Sequence, residues 1–366
     1  MLALACLFVL SSAALAAQPK NVIICIGDGM GFEQVKAAQY YADATMSFQS
    51  FPYQGQMMTR SANSSVTDSA AGGTGIAVGV KVNNGVISMA IPGDGSELET
   101  LLEYYQARGR STGLVTTTYI THATPATFGS HDPSRGNTSA IASDYLNQVR
   151  PNVILGGGGY GMSTTSAAAA GYTVVTDLAG MTAPATLASS YVSGQFGSGH
   201  MPYEYDGSYG SLPHLNQMTS AALDMLDDDP DGFFLMVEGG RIDHAGHANN
   251  LERNIHDTIE FSDSVQLVLD WAAGRDDTLI LVTADHETGG LTVLADNPGT
   301  YPTVSWSTGG HTGANVPIYA WGPNASLVSG VIDNTDVFGI ATVPEPATMS
   351  LLAIGALALI RRRRKV

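Results

Sequence analysis

Residues 21–31 read NVIICIGDGMG, an apolar run that ends in the sequence Gly-Asp-Gly. Because the run shows no polar alternation, it predicts a strand buried on both faces, as in a parallel sheet. In open α/β sheets, ligands bind beyond the carboxyl ends of the strands. Asp28, directly after this strand, is therefore the first candidate residue of a functional site.

Similar apolar runs recur along the chain, with helical patterns between them. The runs that predict strands lie at residues 112–118, 152–155, 233–237 and 278–283. The helical patterns lie at residues 97–108 and 251–273. Strands that alternate with helices predict a three-layer α/β/α fold, with a mostly parallel central sheet and helices on both faces.

The segment 156–210 interrupts this pattern, because it is rich in Gly, Ala, Ser and Thr. Glycine and serine clusters between regular segments are typical of turns and loops. We expect a loop-heavy excursion there, with one strand near residues 172–176.

Composition narrows the classes of function. Hydrophobic residues make up 44% of the 366 residues and charged residues only 13%, which favours a globular protein over a disordered chain. The formal net charge of -17 argues against nucleic-acid binding, because phosphate contacts need clustered Lys and Arg. An anionic substrate would need local positive charge, which bound divalent metals can supply.

Both ends of the chain have the character of processing signals. Residues 1–17 form an apolar run that ends in small residues, which predicts a signal peptide; a transmembrane anchor is the alternative. An apolar run at residues 347–360 precedes five basic residues. With Pro344-Glu345-Pro346, this tail, residues 343–366, resembles the PEP-CTERM sorting signal, and a plain C-terminal anchor is the alternative. Residues 18–342 then form one folded domain.

Three of the predicted strands end in a carboxylate, namely Asp28, Glu238 and Asp285. Any one of them alone would more often be a helix cap or a turn residue. Three acids at one sheet edge repel one another unless cations lie between them. Because histidines accompany these acids in the sequence, we predict a metal centre at that edge.

The accompanying histidines have spacings that suit metal binding. Asp243 and His247 are four residues apart, so on a helix they share a face and can hold one zinc ion. Asp285 and His286 directly follow a predicted strand. His311 lies in a Gly-rich loop, and a lone histidine of this kind is more often an ordinary loop residue. By that standard four histidines remain unassigned: His131, His200, His214 and His256.

The sequence TDSAAGGTG at residues 67–75 places Ser69 at the start of a predicted helix of small residues. Backbone N–H groups at a helix N-terminus favour an anion, such as a phosphoryl group or a serine alkoxide. The alternative is that Asp68 or Ser69 merely caps the helix. No Ser-His-Asp triad is readable, so a metal would have to activate the serine.

Six segments resemble the motifs of alkaline phosphatases, in the same order along the chain. They are GDGMG at 27–31, TDSAA at 67–71, THATPA at 121–126, VEG at 237–239 with IDH at 242–244, TADH at 283–286 and GHTG at 310–313. GHMPYE at residues 199–204 also resembles a segment of bacterial members. The resemblance covers roughly residues 20–325. It implies that residues 18–342 are an alkaline phosphatase-like catalytic domain.

The resemblance also implies three metal ions and their ligands. One zinc ion would be held by Asp243, His247 and His311. The second zinc ion would be held by Asp28, Asp285 and His286, with Ser69 as the nucleophile on the same ion. Magnesium would be held by Asp28, Thr124 and Glu238, so that Asp28 bridges two metals.

Three further residues have implied roles near the phosphate. Arg135 matches the phosphate-binding arginine, whose guanidinium fork fits two phosphate oxygens. His122 and His244 stand where some members have Asp and Lys. Because an imidazole replaces a carboxylate beside the magnesium, the resemblance leaves the occupancy of that site open.

The implied activity is hydrolysis of small-molecule phosphate monoesters through a phosphoserine. Phosphodiester or sulfate-ester hydrolysis on the same fold stays open, as does a non-catalytic surface or matrix protein. The family resemblance also suggests a homodimer. The tail implies exosortase processing, transient membrane contact and export to the periplasm, the cell surface or the medium.

Overall fold

The computed structural model describes residues 19–342. The predicted signal peptide, residues 1–17, and the predicted sorting tail, residues 343–366, lie outside the described residues. No helix in the described part of the chain combines the length and apolar character that crossing a membrane requires.

A ten-stranded sheet forms the centre of the described chain. Fourteen strands lie within the described residues, and four of them are outside this sheet. The fourteen are β1 (Asn21–Gly27), β2 (Tyr53–Met58), β3 (Ser111–Tyr119), β4 (Val153–Gly157), β5 (Thr173–Val175), β6 (Val192–Gln195), β7 (Phe233–Gly239), β8 (Thr278–Thr283), β9 (Glu287–Thr288), β10 (Leu291–Ala295), β11 (Thr303–Trp306), β12 (His311–Thr312), β13 (Val316–Trp321) and β14 (Gly330–Asp333). The large sheet has the order β14-β2-β13-β8-β1-β7-β3-β4-β6-β5, and β10-β11 and β12-β9 form two small pairs.

Within the large sheet only β13 runs against its neighbours, β2 and β8. The other pairings are parallel, which confirms the predicted mostly parallel sheet. The five predicted strands correspond to β1, β3, β4, β7 and β8. The residues of β1, β7 and β8 are all buried, which explains their unbroken apolar character.

Helices cover both faces of the sheet. They are α1 (Phe32–Ala42), α2 (Ser69–Val78), α3 (Leu101–Gln106), α4 (Ala123–Gly129), α5 (Thr138–Asn147), α6 (Thr164–Ala169), α7 (Leu178–Met181), α8 (Pro184–Leu187), α9 (Leu215–Leu226), α10 (Arg241–His247), α11 (Leu251–Ala272) and α12 (Asp336–Thr342), with short 3₁₀ helices at Ser47–Ser50, Glu204–Asp206 and Ala325–Leu327. One layer contains α9 and α11, and the other contains α3 and α4. The three-layer α/β/α prediction is therefore confirmed.

The helix predicted at residues 97–108 is shorter in the structure, where it spans Leu101–Gln106. A capping box sets its start: the Thr100 hydroxyl accepts from the Glu103 N–H at 3.2 Å, and Glu103 Oε2 accepts from the Thr100 N–H at 2.9 Å. Gly109 follows its end with φ +75, a left-handed conformation that favours glycine. Glu97 and Glu99, the polar residues before Thr100, precede the helix and are not part of it.

The prediction for residues 156–210 was wrong in part. The strand expected near residues 172–176 is present as β5, but β6 and three short helices, α6 to α8, were missed. The sequence of β6, VSGQ, lacks a β-branched run, yet all four residues are buried. A Cβ atom at Gly194 would lie 2.5 Å from the Phe196 ring and 2.7 Å from Leu155. Tight packing, and not loop structure, accounts for the small residue there.

We predict that Thr100→Ala lowers the free energy of unfolding by about 1 kcal/mol, the usual cost of losing an N-cap side chain. Thr100 is fully buried, and its hydroxyl also donates to the Phe128 carbonyl at 2.8 Å. Denaturant unfolding would measure the change, with the exposed Thr300→Ala as the control. Equal stability of the two variants would contradict the assigned cap.

Candidate metal centre and nucleophile

The predicted acids converge at the carboxyl edge of the neighbouring strands β8, β1 and β7. Asp28 directly follows β1, Glu238 is the penultimate residue of β7, and Asp285 lies two residues beyond β8. None of the three side chains has exposed surface. Residues from four distant parts of the chain meet here, because the loop after β3 adds its own side chains beside β7.

Carboxylates buried this closely repel one another. Burial raises the pKa of Asp28 well above its usual range, and the charges of Asp285, Asp243 and Glu238 add to the rise. Burial likewise raises the pKa of Asp285 to about 6 and that of Glu238 to about 7. The Arg135 guanidinium opposes the rise at Asp28 only in part. Further positive charge is needed to keep these groups ionised.

One oxygen of each acid is buried without a hydrogen-bond partner: Asp28 Oδ1, Glu238 Oε1 and Asp285 Oδ2. The second oxygen of Asp285 accepts from the Gly29 N–H at 3.2 Å, and that of Glu238 accepts from the Thr116 hydroxyl at 2.5 Å. Buried polar atoms are nearly always partnered in folded proteins. Three orphaned acceptors at one sheet edge therefore fit a bound cation.

His247 and His311 face each other, with their Nε2 atoms 3.1 Å apart. The Nδ1 atom of His247 lies 2.7 Å from the Gly309 carbonyl oxygen, and that of His311 lies 2.8 Å from the Thr67 carbonyl oxygen. A carbonyl oxygen only accepts, so each Nδ1 carries the proton and each Nε2 presents a lone pair. Asp243 Oδ2 lies 3.4 Å from His247 Nε2. This set of three donors fits a zinc ion.

The fold, and not helix periodicity, brings His311 to this position. The short strand β12 pairs with β9, which sets His311 opposite Thr288. As a result, the His311 ring stacks on the His286 ring with centroids 3.5 Å apart. The alternative that His311 is an ordinary loop residue does not fit this placement.

His286 lies between two of the acids and the candidate nucleophile. Its Nε2 atom is 3.4 Å from Asp28 Oδ1, 3.3 Å from Asp285 Oδ2 and 3.2 Å from Ser69 Oγ. Its Nδ1 atom is 3.2 Å from the Thr288 hydroxyl. Burial lowers the pKa of His286 well below its usual range, so the ring is neutral, as a metal ligand must be.

A third group of donors lies on the other side of Asp28. The ligand atoms of Asp28, His122 and Glu238 lie within 4.8 Å of one another. The Thr124 hydroxyl lies 3.4 Å from Asp28 Oδ2. His122 Nδ1 is buried without a partner. Because Arg135 can only donate to His122 Nε2, the neutral His122 ring carries its proton on Nδ1. The lone-pair donors of this group are therefore the oxygens of Asp28, Glu238 and Thr124, which suit a hard cation such as magnesium.

Ser69 is the first residue of α2, and Asp68 is the N-cap of this helix. Asp68 Oδ1 accepts from the Ala71 N–H at 3.0 Å, so the capping alternative holds for Asp68. The Ser69 hydroxyl points instead to His286. Ser69 therefore lies at the positive end of a helix dipole and next to the donors of the candidate metal centre.

Arg135 borders the candidate site through its contacts with Asp68 and His122. Its Nη1 atom donates to Asp68 Oδ2 at 3.0 Å, and its Nη2 atom lies 3.3 Å from His122 Nε2. The pKa of Asp68 is lowered although burial opposes it, because the Ala71 N–H and the Arg135 charge favour the carboxylate. Asp68 thereby fixes the guanidinium fork beside Ser69, while the Arg135 side chain stays 30% exposed and accessible to a ligand.

Neutral imidazoles line the neighbouring wall. The His244 ring lies 5.6 Å from the His122 ring and 4.3 Å from the His200 ring. Burial lowers the pKa of His244 to about 2, with the Arg241 charge as the next cause, and burial lowers the pKa of His200 to about 4. Arg241 Nη1 lies 2.7 Å from His244 Nδ1. This wall offers hydrogen bonds without adding negative charge.

Of the four histidines that the sequence left unassigned, His200 comes into the site. The other three lie elsewhere: His131 pairs with Glu103, His256 with the Tyr301 hydroxyl and His214 with Glu204. His200 was missed because it follows a Gly-rich stretch that is typical of a loop, and no acid lies within three residues of it. The GHMPYE segment that contains it was the available signal.

Comparison with known proteins gives concordant results along the chain. A sequence profile described as Alkaline phosphatase matches residues 19–170, 164–303 and 292–343, and one described as PEP-CTERM protein-sorting motif matches residues 342–365. Alkaline phosphatase 3 of Bacillus subtilis (strain 168) is 33% identical, over 87% of this chain and 87% of its own. Alkaline phosphatase of Escherichia coli (strain K12) is 31% identical, over 87% of this chain and 84% of its own.

Solved structures agree with these matches. A cold-active alkaline phosphatase from Shewanella sp. has a TM-score of 0.80 at 30% identity, over 87% of this chain and 98% of its own. Alkaline phosphatase from the Antarctic bacterium TAB5 has a TM-score of 0.79 at 31% identity, over 91% of this chain and 99% of its own. A variant of the TAB5 enzyme with aspartate in place of a histidine is described with magnesium bound.

We predict that removing divalent cations lowers the melting temperature of the protein, because the buried carboxylates would then repel one another. A ligand present at 100 times its Kd contributes about 2.7 kcal/mol to stability. Calorimetry before and after dialysis against EDTA, and after zinc is restored, would measure the shift.

Two variants make this test specific. Asp285→Asn should reduce the shift that EDTA causes, whereas the exposed Asp296→Asn should leave it unchanged. A melting temperature that responds to neither EDTA nor zinc would contradict the assigned metal centre.

Proposed function

The chain belongs to the alkaline phosphatase family, and from this premise we propose that it hydrolyses phosphate monoesters to an alcohol and inorganic phosphate, with Ser69 as the nucleophile. The observation that carries the proposal is the position of Ser69 Oγ. It lies 3.2 Å from His286 Nε2, at the N-terminus of α2. The same His286 atom lies 3.4 Å from Asp28 Oδ1 and 3.3 Å from Asp285 Oδ2, and Arg135 is bonded to Asp68, the residue before Ser69.

We propose that three metal ions occupy the candidate centre. Asp243, His247 and His311 would hold one zinc ion; Asp28, Asp285 and His286 would hold the second; and Asp28, Thr124 and Glu238 would hold magnesium. When bound, these ions would offset the carboxylate charge, favour ionisation of the Ser69 hydroxyl and withdraw electron density from the phosphoryl oxygens. The converging lone pairs and orphaned oxygens support this assignment.

The chain's own groups bind and orient the ester. Backbone N–H groups at the start of α2 and the Arg135 fork would hold phosphoryl oxygens, because both favour anions. Asp68 would keep Arg135 in place through its 3.0 Å hydrogen bond. His122 and His244, both neutral, would face the phosphate from the adjacent wall.

The proposed reaction has two displacements at phosphorus. Ser69 Oγ bonds to phosphorus as the ester P–O bond breaks, and the leaving oxygen takes up a proton to become the alcohol. Water then replaces Ser69 on phosphorus, which restores the serine hydroxyl and releases inorganic phosphate. The enzyme therefore passes through a phosphoserine at position 69.

The C-terminal match to a sorting motif supports an exported protein. We propose that an exosortase processes the tail after transient membrane contact, and that the enzyme acts in the periplasm, at the cell surface or in the medium as a homodimer. Relatives include Streptomycin-6-phosphate phosphatase of Streptomyces griseus, 32% identical over 89% of this chain. A small-molecule phosphate monoester is the substrate class that the site supports.

We predict that Ser69→Ala abolishes phosphoenzyme formation, because the alanine side chain has no oxygen to bond to phosphorus. Labelling with a radioactive aryl phosphate, followed by acid quench, would detect the intermediate. Ser65→Ala, an exposed serine four residues earlier, should label like the wild type. Full turnover by Ser69→Ala would disprove the nucleophile assignment.

The same preparation separates the proposed activity from its rivals. The wild type should hydrolyse an aryl phosphate faster than a bis-aryl phosphate or an aryl sulfate. Preference for the diester or the sulfate would refute the monoesterase, while loss of all three activities at full zinc occupancy would favour a non-catalytic surface protein.

We predict that His122→Asp raises magnesium affinity about tenfold, or about 1.4 kcal/mol, because a carboxylate replaces an imidazole beside Asp28 and Glu238. Calorimetric titration with magnesium would measure the change. His122→Asn is the matched control: it removes the imidazole without adding charge and should give no such gain. Equal affinities in all three proteins would contradict the placement of His122.

A further inference from the structure

A second group of metal-binding side chains lies outside the candidate centre and shares no residue with it. It consists of Glu204, His214 and Glu260, whose ligand atoms all lie within 4.8 Å of one another. We call these three residues and Asp257 the Glu204 cluster. The 3₁₀ helix Glu204–Asp206, the start of α9 and the middle of α11 meet at this point.

Two hydrogen-bond contacts occupy one carboxylate oxygen of Glu204 and one of Glu260. His214 Nδ1 lies 2.8 Å from Glu204 Oε2. Glu260 Oε1 accepts from the Asn216 N–H at 2.8 Å, at the first turn of α9. If these were the only contacts, an ion pair between His214 and Glu204 and a cap of α9 by Glu260 would explain them without a ligand.

Other acceptors in the same place remain without partners, and they point to a ligand. Asp257 is 5% exposed, and its Oδ2 atom has no hydrogen-bond partner. It lies three residues before Glu260 on the same face of α11, and the Glu204 N–H favours its carboxylate form. Glu204 Oε1 and Asn216 Oδ1 are also buried and unpartnered. An ion pair and a cap would leave these three oxygens unsatisfied.

Basic side chains nearby offset the charge of the cluster only in part, because the Arg241 charge lowers the pKa of Asp257 less than burial raises it. The Arg253 guanidinium pairs with Asp206, with two contacts of 3.0 Å. The Arg241 guanidinium stacks 3.7 Å over the Tyr203 ring and contacts His244. Among the ion pairs of residues 19–342, none joins Lys or Arg to the carboxylates of the cluster.

The electrostatic consequence resembles that at the candidate centre. Burial raises the pKa of Asp257 well above its usual range, and the Glu204 charge adds to the rise. Burial raises the pKa of Glu260 to about 8, although the Asn216 N–H opposes the rise. These acids are therefore poorly stabilised as anions by the protein alone.

We propose that the Glu204 cluster binds one divalent cation, with Glu204, His214 and Glu260 as ligands and Asp257 as a further carboxylate. The single imidazole among carboxylates suits zinc or manganese better than calcium, which takes oxygen ligands only. The ion clamps the segment 204–214 onto α9 and α11. His200 and Tyr203 precede this segment and contact His244 and Arg241, so the clamp also braces the wall of the candidate centre.

The proposal is tested by the metal content of the purified protein, because the cluster contributes one equivalent of its own. Wild type and a Glu204→Gln/Glu260→Gln double variant are saturated with zinc, or in parallel with manganese, and then freed of excess metal and measured by mass spectrometry. The double variant should hold one equivalent fewer of at least one of the two metals. Glu99→Gln/Glu252→Gln, which removes the same charge elsewhere, should match the wild type.

A second measurement guards against misfolding of the double variant. The single variant His214→Asn should weaken the affinity of one site at least tenfold in calorimetric titration, while the affinities of the remaining sites stay unchanged. Equal metal content and equal affinities in wild type and variants would overturn the proposal. Asp285→Asn should lose metal from the candidate centre while the Glu204 cluster keeps its ion. This result would show that the two sites bind metal independently.

Discussion

Electrostatic repulsion among buried carboxylates is the constraint on which the site of this protein depends. Asp28, Glu238 and Asp285 have no exposed surface, and each has an oxygen without a hydrogen-bond partner. Parallel strands deliver them to one sheet edge from distant parts of the chain. Such an arrangement is stable as a set of anions only with cations among them, so the fold and the proposed metals depend on each other.

The surrounding structure orients the remaining donors toward the same place. Backbone carbonyls hold the Nδ1 atoms of His247 and His311, which leaves both Nε2 atoms aimed at each other. Asp68 both caps α2 and anchors Arg135, so the helix that presents Ser69 also positions the cationic fork. The Glu204 cluster, which begins four residues after His200, also contains buried acceptors without hydrogen-bond partners.

The sequence reveals the strand-end acids because fully buried parallel strands have an unbroken apolar pattern, and the residue after such a strand lies at a known edge. Asp243 and His247 are equally readable because helix periodicity places them on one face. By contrast, His200 depends on loop packing against His244, which no local pattern encodes. Strand β6 was missed because Gly194 is required by close packing against Phe196 and Leu155, and these contacts exist only in the folded chain.

Anomalous X-ray diffraction at the zinc absorption edge, on crystals of the protein purified with zinc, tests the central claim most directly. The account predicts one peak bounded by Asp243, His247 and His311, and another bounded by Asp28, Asp285 and His286 next to Ser69. If these side chains gather as described but no anomalous peak lies among them, the account of a cation-dependent site is wrong.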